Sequence, residues 1–191
     1  MEKKVEKYEV RIVGTRPLLM HSCQHMVQDR MDEEERGKKV RESLTPLEEA
    51  TKSLYIDKEG NLVVPSLCVL SCMRAAAVNF LVGGKGKKTY KNYIFPGVRV
   101  NPDNIPMISD GGWEPDLKPV VIGRARVISS RPRFDDWALE FQVEIVDPII
   151  TPSNLKAILE RAGQYSGLLD FRPLYGLFEV DKFEPVKEPK E

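Results

Sequence analysis

Alternating apolar and polar positions mark the strands of this chain, and helical spacing marks its helices. Tyr8-Glu-Val-Arg-Ile-Val-Gly14 puts Tyr8, Val10 and Ile12 on one face and Glu9 and Arg11 on the other, as in a half-buried strand. Ala138 to Val146 repeats the pattern more cleanly, with Leu139, Phe141, Val143 and Ile145 inward and Glu140, Gln142 and Glu144 outward. Val120 to Ile128 and Tyr175 to Phe183 read as two further strands, and Gly97 to Val100 as a short one within a loop-rich stretch. Pro65-Ser66 opens a helix capped by Ser66, with Leu70, Met73, Ala77 and Leu81 on one face and Gly83-Gly84 as its stop. Thr151-Pro152 opens a second, with Leu155, Ile158, Leu159 and Ala162 on one face and Gly163 at its end. Leu54-Tyr-Ile and Leu62-Val-Val flank Asp57 to Asn61 as a short hairpin, and Thr45-Pro46 has helix-start character.

Stripped of its insertions, the order is strand, helix, strand, strand, helix, strand. That predicts an α+β, ferredoxin-like β-α-β-β-α-β (RRM-like) fold with large insertions at about 21–53 and 84–118. One domain is expected over residues 1–184, followed by a flexible Pro/Lys/Glu-rich tail over 185–191.

Composition narrows the function. Hydrophobic residues make up 41% and charged residues 30%, so the chain reads as globular rather than disordered. Lys+Arg and Asp+Glu are both 29, so no whole-protein field attracts a polyanion, and an argument for nucleic acid has to rest on local segregation. Two acid-free basic blocks supply it. Gly83 to Tyr93 holds Lys85, Lys87, Lys88 and Lys91 beside Tyr90 and Tyr93, and Arg124 to Arg133 holds Arg124, Arg126, Arg131 and Arg133. Lysines neutralise phosphates without strict geometry, and tyrosines stack on bases at about 1–3 kcal/mol each. Arg131, Arg133 and Phe134 read as projecting from a loop between two strands, and Arg124 and Arg126 as sharing one strand face. The alternative for these arginines is cross-strand pairing with Asp135, Asp136 or the outward glutamates.

A third basic element follows the second helix. The stretch Gly163 to Gly176 is punctuated by glycines and carries Arg172 with Phe171 and Tyr175, which allows close backbone approach beside a cation and ring faces. Three cysteines, Cys23, Cys68 and Cys72, with no apolar targeting segment and no membrane-length apolar run, predict a cytoplasmic protein with free thiols. His21, Cys23 and His25 with Cys68 or Cys72 have zinc-ligand chemistry, but the spacing fits no finger pattern and the two helical cysteines read as packing. No metal or cofactor is expected. A P-loop, a dinucleotide fingerprint and a Ser-His-Asp order are all missing, and the chain has two histidines, so a binding protein is favoured over an enzyme.

Three segments resemble one family. Thr15-Arg-Pro-Leu-Leu-Met-His21, Gly60-Asn-Leu-Val-Val-Pro-Ser-Leu-Cys-Val-Leu-Ser-Cys-Met-Arg-Ala-Ala-Ala77 and Gly163 to Val180 are similar, in order, to the opening, the helix element and the glycine-rich loop of RAMP-superfamily proteins, the RNA-binding subunits of CRISPR effector complexes. The loop departs from the family in having Asp170-Phe-Arg-Pro173 where a denser run of glycines is usual. The resemblance implies a backbone-like subunit that self-associates head to tail along a single strand, as a filament or within a multi-subunit complex. It adds Arg16, His21 and Arg74 to the binding residues. The strand would be guide RNA or, for a stand-alone viral or mobile-element relative, single-stranded RNA or DNA. It also implies, for some members, metal-dependent cleavage by an aspartate after the first strand, where Asp29 and Asp32 stand. The rival readings are therefore a metal-dependent endoribonuclease and a viral structural or assembly protein.

Overall fold

Residues 5–24 and 44–186 are described by a computed structural model. Strand β1 (Glu6–Gly14) pairs antiparallel with β8 (Ala138–Ile145) on one side and with β9 (Phe178–Pro185) on the other. Val10 lies opposite Phe141 and Ile12 opposite Leu139, so the buried rows predicted for both strands meet on one face. The far edge of β8 takes two partners, β4 (Val98–Asn101) and β5 (Asn104–Ile108), and β3 (Val63–Pro65) extends the sheet beyond β5. A second sheet is formed by β2 (Leu18–Leu19), β7 (Ala125–Phe134) and β6 (Glu114–Ile122), in the order β2-β7-β6. The helices are α1 (Pro46–Lys52), α2 (Ser66–Ala76), α3 (Lys91–Gly97) and α4 (Pro152–Tyr165).

Strand order β9-β1-β8-β4, with α2 between β1 and β4 and α4 between β8 and β9, is the ferredoxin-like α+β arrangement with insertions. Helices α2 and α4 pack on each other and against β4 and β9. Val69, Cys72, Met73 and Ala76 of α2 and Leu155, Ile158, Leu159 and Ala162 of α4 close the core over the sheet. Burying each Leu, Ile or Met side chain contributes about 1.5–3 kcal/mol, so these rows dominate the stability of the frame. Thr151 caps α4 by accepting from the Asn154 N–H, as its sequence signal predicts.

The second strand of the frame is β4, inside the stretch read as an insertion. Val120 to Ile128 is not one strand: the chain turns at Gly123-Arg124, and β6 and β7 run back to back as a long hairpin. Ser129 to Phe134, read as a loop, is the inner half of β7. In α2, Ser66 is the first helical residue and gives no side-chain cap, and the helix ends at Ala76, which leaves Leu81 exposed outside it. Helix α4 runs past Gly163 to Tyr165. Strand β9 reaches Pro185, and the Val186 N–H donates to the Lys7 carbonyl (2.9 Å), so the sheet continues past the Glu184 boundary. No helix among the described residues is long and apolar enough to cross a membrane.

Cys72 is fully buried, and burial pushes its thiol up to about 12 despite the nearby Arg172 charge, while Cys23 is exposed. A disulfide-exchange reagent at pH 8 should therefore react rapidly with Cys23 and leave Cys72 untouched until the protein is unfolded. Rapid Cys72 modification in the native protein, mapped by mass spectrometry, would contradict this packing.

Candidate functional site

After α4 the chain returns to β9 through residues 166–177, the glycine-punctuated stretch. Its two limbs touch: the Leu168 N–H donates to the Gly176 carbonyl (2.9 Å), and a Cβ on Gly176 would stand 2.1 Å from the Leu168 oxygen. Gly176 has φ +71, so both space and backbone demand glycine there. Backbone bonds moor the loop to the start of the second sheet. The Asp170 N–H donates to Leu19 (3.1 Å), the Gly176 N–H to Pro17 (2.8 Å), and Leu177 accepts from Thr15 (2.8 Å) and Arg16 (3.2 Å). Between these moorings Leu169 and Phe171 adopt φ 58 and 53. A left-handed non-glycine residue costs about 1–2 kcal/mol, so tertiary contacts hold this segment open.

A cleft of about 280 Å³ lies between this loop and α2, lined by His21, Tyr55, Leu67, Cys68, Ser71, Leu169, Asp170 and Arg172. The Tyr55 hydroxyl donates to the His21 carbonyl (3.2 Å). Burial, then the Arg131 charge, lowers the pKa of His21 against the pull of Asp170 and Glu49. His21 is therefore neutral near pH 7, and offers a hydrogen bond rather than a charge to a phosphate. Arg172 is exposed and has no carboxylate or hydrogen-bond partner among the described residues.

From this cleft a line of side chains follows α2. Its inward face is Val69, Cys72, Met73 and Ala76, which turns Leu67, Ser71 and Arg74 outward along one stripe. The Arg74 guanidinium sits over the Phe95 ring of α3 (5.0 Å), and Lys85 sits over Tyr93 of the same helix (5.4 Å). The lysine loop is closed by the Val82 N–H on Lys88 (2.8 Å) and the Tyr90 N–H on Phe80 (3.0 Å). Lys87, Lys88 and Lys91 line a hollow of about 360 Å³ with Thr89, Asn92 and Tyr93. Arg172, Arg74, Lys85, Lys87, Lys88 and Lys91 thus join through α2 and α3, and none has a carboxylate partner among the described residues.

Several predicted contact residues lie elsewhere. Tyr90 is 4% exposed, and its hydroxyl accepts from the Asn154 amide (2.7 Å), so it presents no ring to a base. Phe134 is fully buried, because β7 carries it into the core opposite Leu18. Arg131 is 6% exposed, and its Nε donates to Asp170 (3.0 Å). Arg133 pairs with Asp135 (2.7 Å), two residues along, which raises its pKa: local pairing wins over projection here. Tyr175 accepts a hydrogen bond from Lys118 (2.6 Å), whose ammonium also stands 4.8 Å from the ring centroid. Arg124 and Arg126 are exposed at the turn end of the β6–β7 hairpin, with Arg124 in the turn itself. Arg16 is exposed where β1 leaves the sheet, its carbonyl accepting from the Trp137 indole (2.9 Å). Asp29, Asp32 and His25 lie outside the described residues.

The open face of the main sheet differs from the α2 stripe. Lys7 pairs with Glu144 (2.9 Å), Lys182 with Glu9 (2.6 Å), and Arg11 stands 3.5 Å from Glu140 and 3.7 Å from Asp181. A hollow of about 440 Å³ on this face is lined by residues of that paired set and by Asn101, Pro102 and Gln142. Among the described residues it offers neither an exposed ring nor a free cation on which the RRM-like stacking of bases depends.

Fold and site define a ferredoxin-like protein in which a group of cations without carboxylate partners among the described residues follows the helical side, while the charges named on the sheet face pair with one another. No family model matches the chain, and no curated relative does. Among solved structures, the chain is similar to one in the type III-B Cmr-beta complex bound to cognate target RNA, at 14% identity and a TM-score of 0.58. The match covers 96% of this chain and 61% of the other, so this chain spans about three fifths of that length. The likeness is one of fold.

Proposed function

We propose that this protein binds single-stranded nucleic acid as a RAMP-like subunit of a CRISPR-type complex. The observation that carries the reading is the run of cations from Arg172 through Arg74 to the lysine loop, none with a carboxylate partner among the described residues, on a molecule whose net charge is zero. Cations clustered without carboxylates create a local positive potential that a phosphate chain can meet even where the net charge is zero. The fold likeness to a chain of an RNA-bound CRISPR complex supports the same reading. Self-association along the strand is supported by the β6–β7 hairpin, where Val121 and Ile128 are 68% and 65% exposed and Leu117 is exposed beside them. Apolar side chains on a protruding arm mark an interaction surface, and a neighbouring copy is the occupant this reading requires.

The test is a salt titration with labelled oligo-U RNA and oligo-dT DNA of equal length. Wild-type affinity should fall linearly with log salt, and Arg172→Ala should weaken binding about tenfold and lower the slope by ~0.7. Equal affinity and slope in wild type, Arg172→Ala and Arg74→Ala would refute the path. Comparison of the two probes reports which nucleic acid is preferred.

A further inference from the structure

The fold buries Arg131 within a polar cluster, with Asp170 half-buried beside it, which a solvated-face account does not explain. The Arg131 Nε donates to Asp170 (3.0 Å), and its Nη1 donates to the Ser129 hydroxyl and to the Ser130 carbonyl (3.1 Å). Glu49 of α1 closes the far side: it accepts from the Ser129 hydroxyl and from the Ser130 N–H (3.0 Å), and stands 3.8 Å from Arg131. His21 Nδ1 stands 3.6 Å from the same Asp170 oxygen that Arg131 holds. Three separate stretches of chain meet at one guanidinium, and His21 adds a fourth beside Asp170.

The position of Asp170 gives the cluster its meaning. It sits between the two left-handed residues, Leu169 and Phe171, two positions before Arg172. Its other carboxylate oxygen accepts from the Phe171 N–H (3.0 Å). One side chain thus ties a strained backbone to a buried cation on another sheet. Strain of this kind persists only where surrounding contacts over-determine it. Arginine suits the task because its fixed fork sets direction as well as charge.

We infer that Arg131 is a positioning residue for the Arg172 site: through Asp170 it holds the loop in the conformation that presents Arg172 to the bound strand. This rests on the nucleic-acid reading, and it assigns to Arg131 a role in which it touches no phosphate. The two roles differ in a measurable way. A cation that contacts a single-strand phosphate contributes its own ~0.7 to the salt slope whether or not Arg172 is present, whereas one that acts through Arg172 contributes nothing once Arg172 is removed.

The experiment uses the full chain, labelled oligo-U RNA, and two variants, Arg131→Lys and the milder, near-isosteric Asp170→Asn, each alone and combined with Arg172→Ala. Each alone should bind about tenfold more weakly and lose up to ~0.7 of slope, as Arg172→Ala does, and neither should weaken binding further once Arg172 is alanine. Hydrogen exchange of the Asp170 and Gly176 amides, measured without RNA, should quicken in both variants, with the amides of β1 and β8 unchanged. A further loss of affinity or of slope when Arg131→Lys is added to Arg172→Ala would make Arg131 act on the strand by itself and overturn the inference. Wild-type affinity together with wild-type loop exchange in both variants would overturn it as well. Should the wild type fail to bind either nucleic acid, the functional reading falls, and the exchange of the loop amides still decides whether Arg131 holds the loop.

Discussion

Replacing Lys85, Lys87, Lys88 and Lys91 together by glutamate is expected to lower affinity for a single-stranded oligonucleotide by ~100-fold or more at 0.1 M salt. The salt slope should fall by as much as ~3, since each lost single-strand phosphate contact removes ~0.7. The loop's backbone makes this variant informative. It closes through the Val82–Lys88, Lys85–Val82 and Lys88–Lys85 hydrogen bonds, which involve main-chain atoms only. The four ammonium groups are exposed and hold no carboxylate among the described residues, so folding draws little from them. Surface changes of this type shift stability by about 0.5 kcal/mol or less each, and a melting curve should confirm that the variant is folded. A matching alanine set should lose slope with a smaller loss of affinity, because glutamate adds repulsion to the missing attraction. Unchanged binding in the glutamate variant would leave the lysine loop as a solvated surface and end the path at Arg74.

Gly176→Ala should destabilise the protein by about 3 kcal/mol and erase the Arg172 contribution to binding as well. The added methyl would stand 2.1 Å from the Leu168 oxygen and 2.8 Å from its nitrogen, on a residue at φ +71. No flexible side-chain end can move aside, because both obstacles are main-chain atoms of the opposite limb. For a chain of this size each kcal/mol lowers Tm by about 2–4 °C, so a fall of roughly 6–12 °C is expected by calorimetry. Gly84→Ala is the control. Its φ is +72, yet nothing lies within 4 Å of its added Cβ, so only the conformational cost of about 1 kcal/mol applies. Equal Tm values for the two variants would show that the loop limbs do not meet as described.

The elements that were legible in the sequence are those with a long, uninterrupted period. Leu139, Phe141, Val143 and Ile145 of β8 and Leu155, Ile158, Leu159 and Ala162 of α4 are buried as their spacing predicts. The β6–β7 hairpin was missed because Val120 to Ile128 is apolar at both ends. The signal that would have divided it is Gly123 in the middle, a turn residue inside a strand-like run. Of the α2 helix face read from the sequence, Met73 and Ala77 are fully buried and Leu70 packs partly on the core, while Leu81 is exposed and Val69, Cys72 and Ala76 complete the buried side. Arg172 and the lysine loop were found through composition, whereas Asp170, Glu49, Tyr55 and Ser71 carry no local signal and enter only through contact.

Local periodicity, caps and turn residues determined the ferredoxin-like order of elements, because hydrophobic burial and backbone hydrogen bonding act over a few neighbouring residues. Which cations stay free was decided by the tertiary structure alone. Arg131 and Arg172 look alike in the sequence, yet one is buried on Asp170 and the other stands in solvent two residues beyond it. A charge is neutralised by whatever the fold brings within a few ångströms, and that distance is set by strand pairing between segments far apart in the chain.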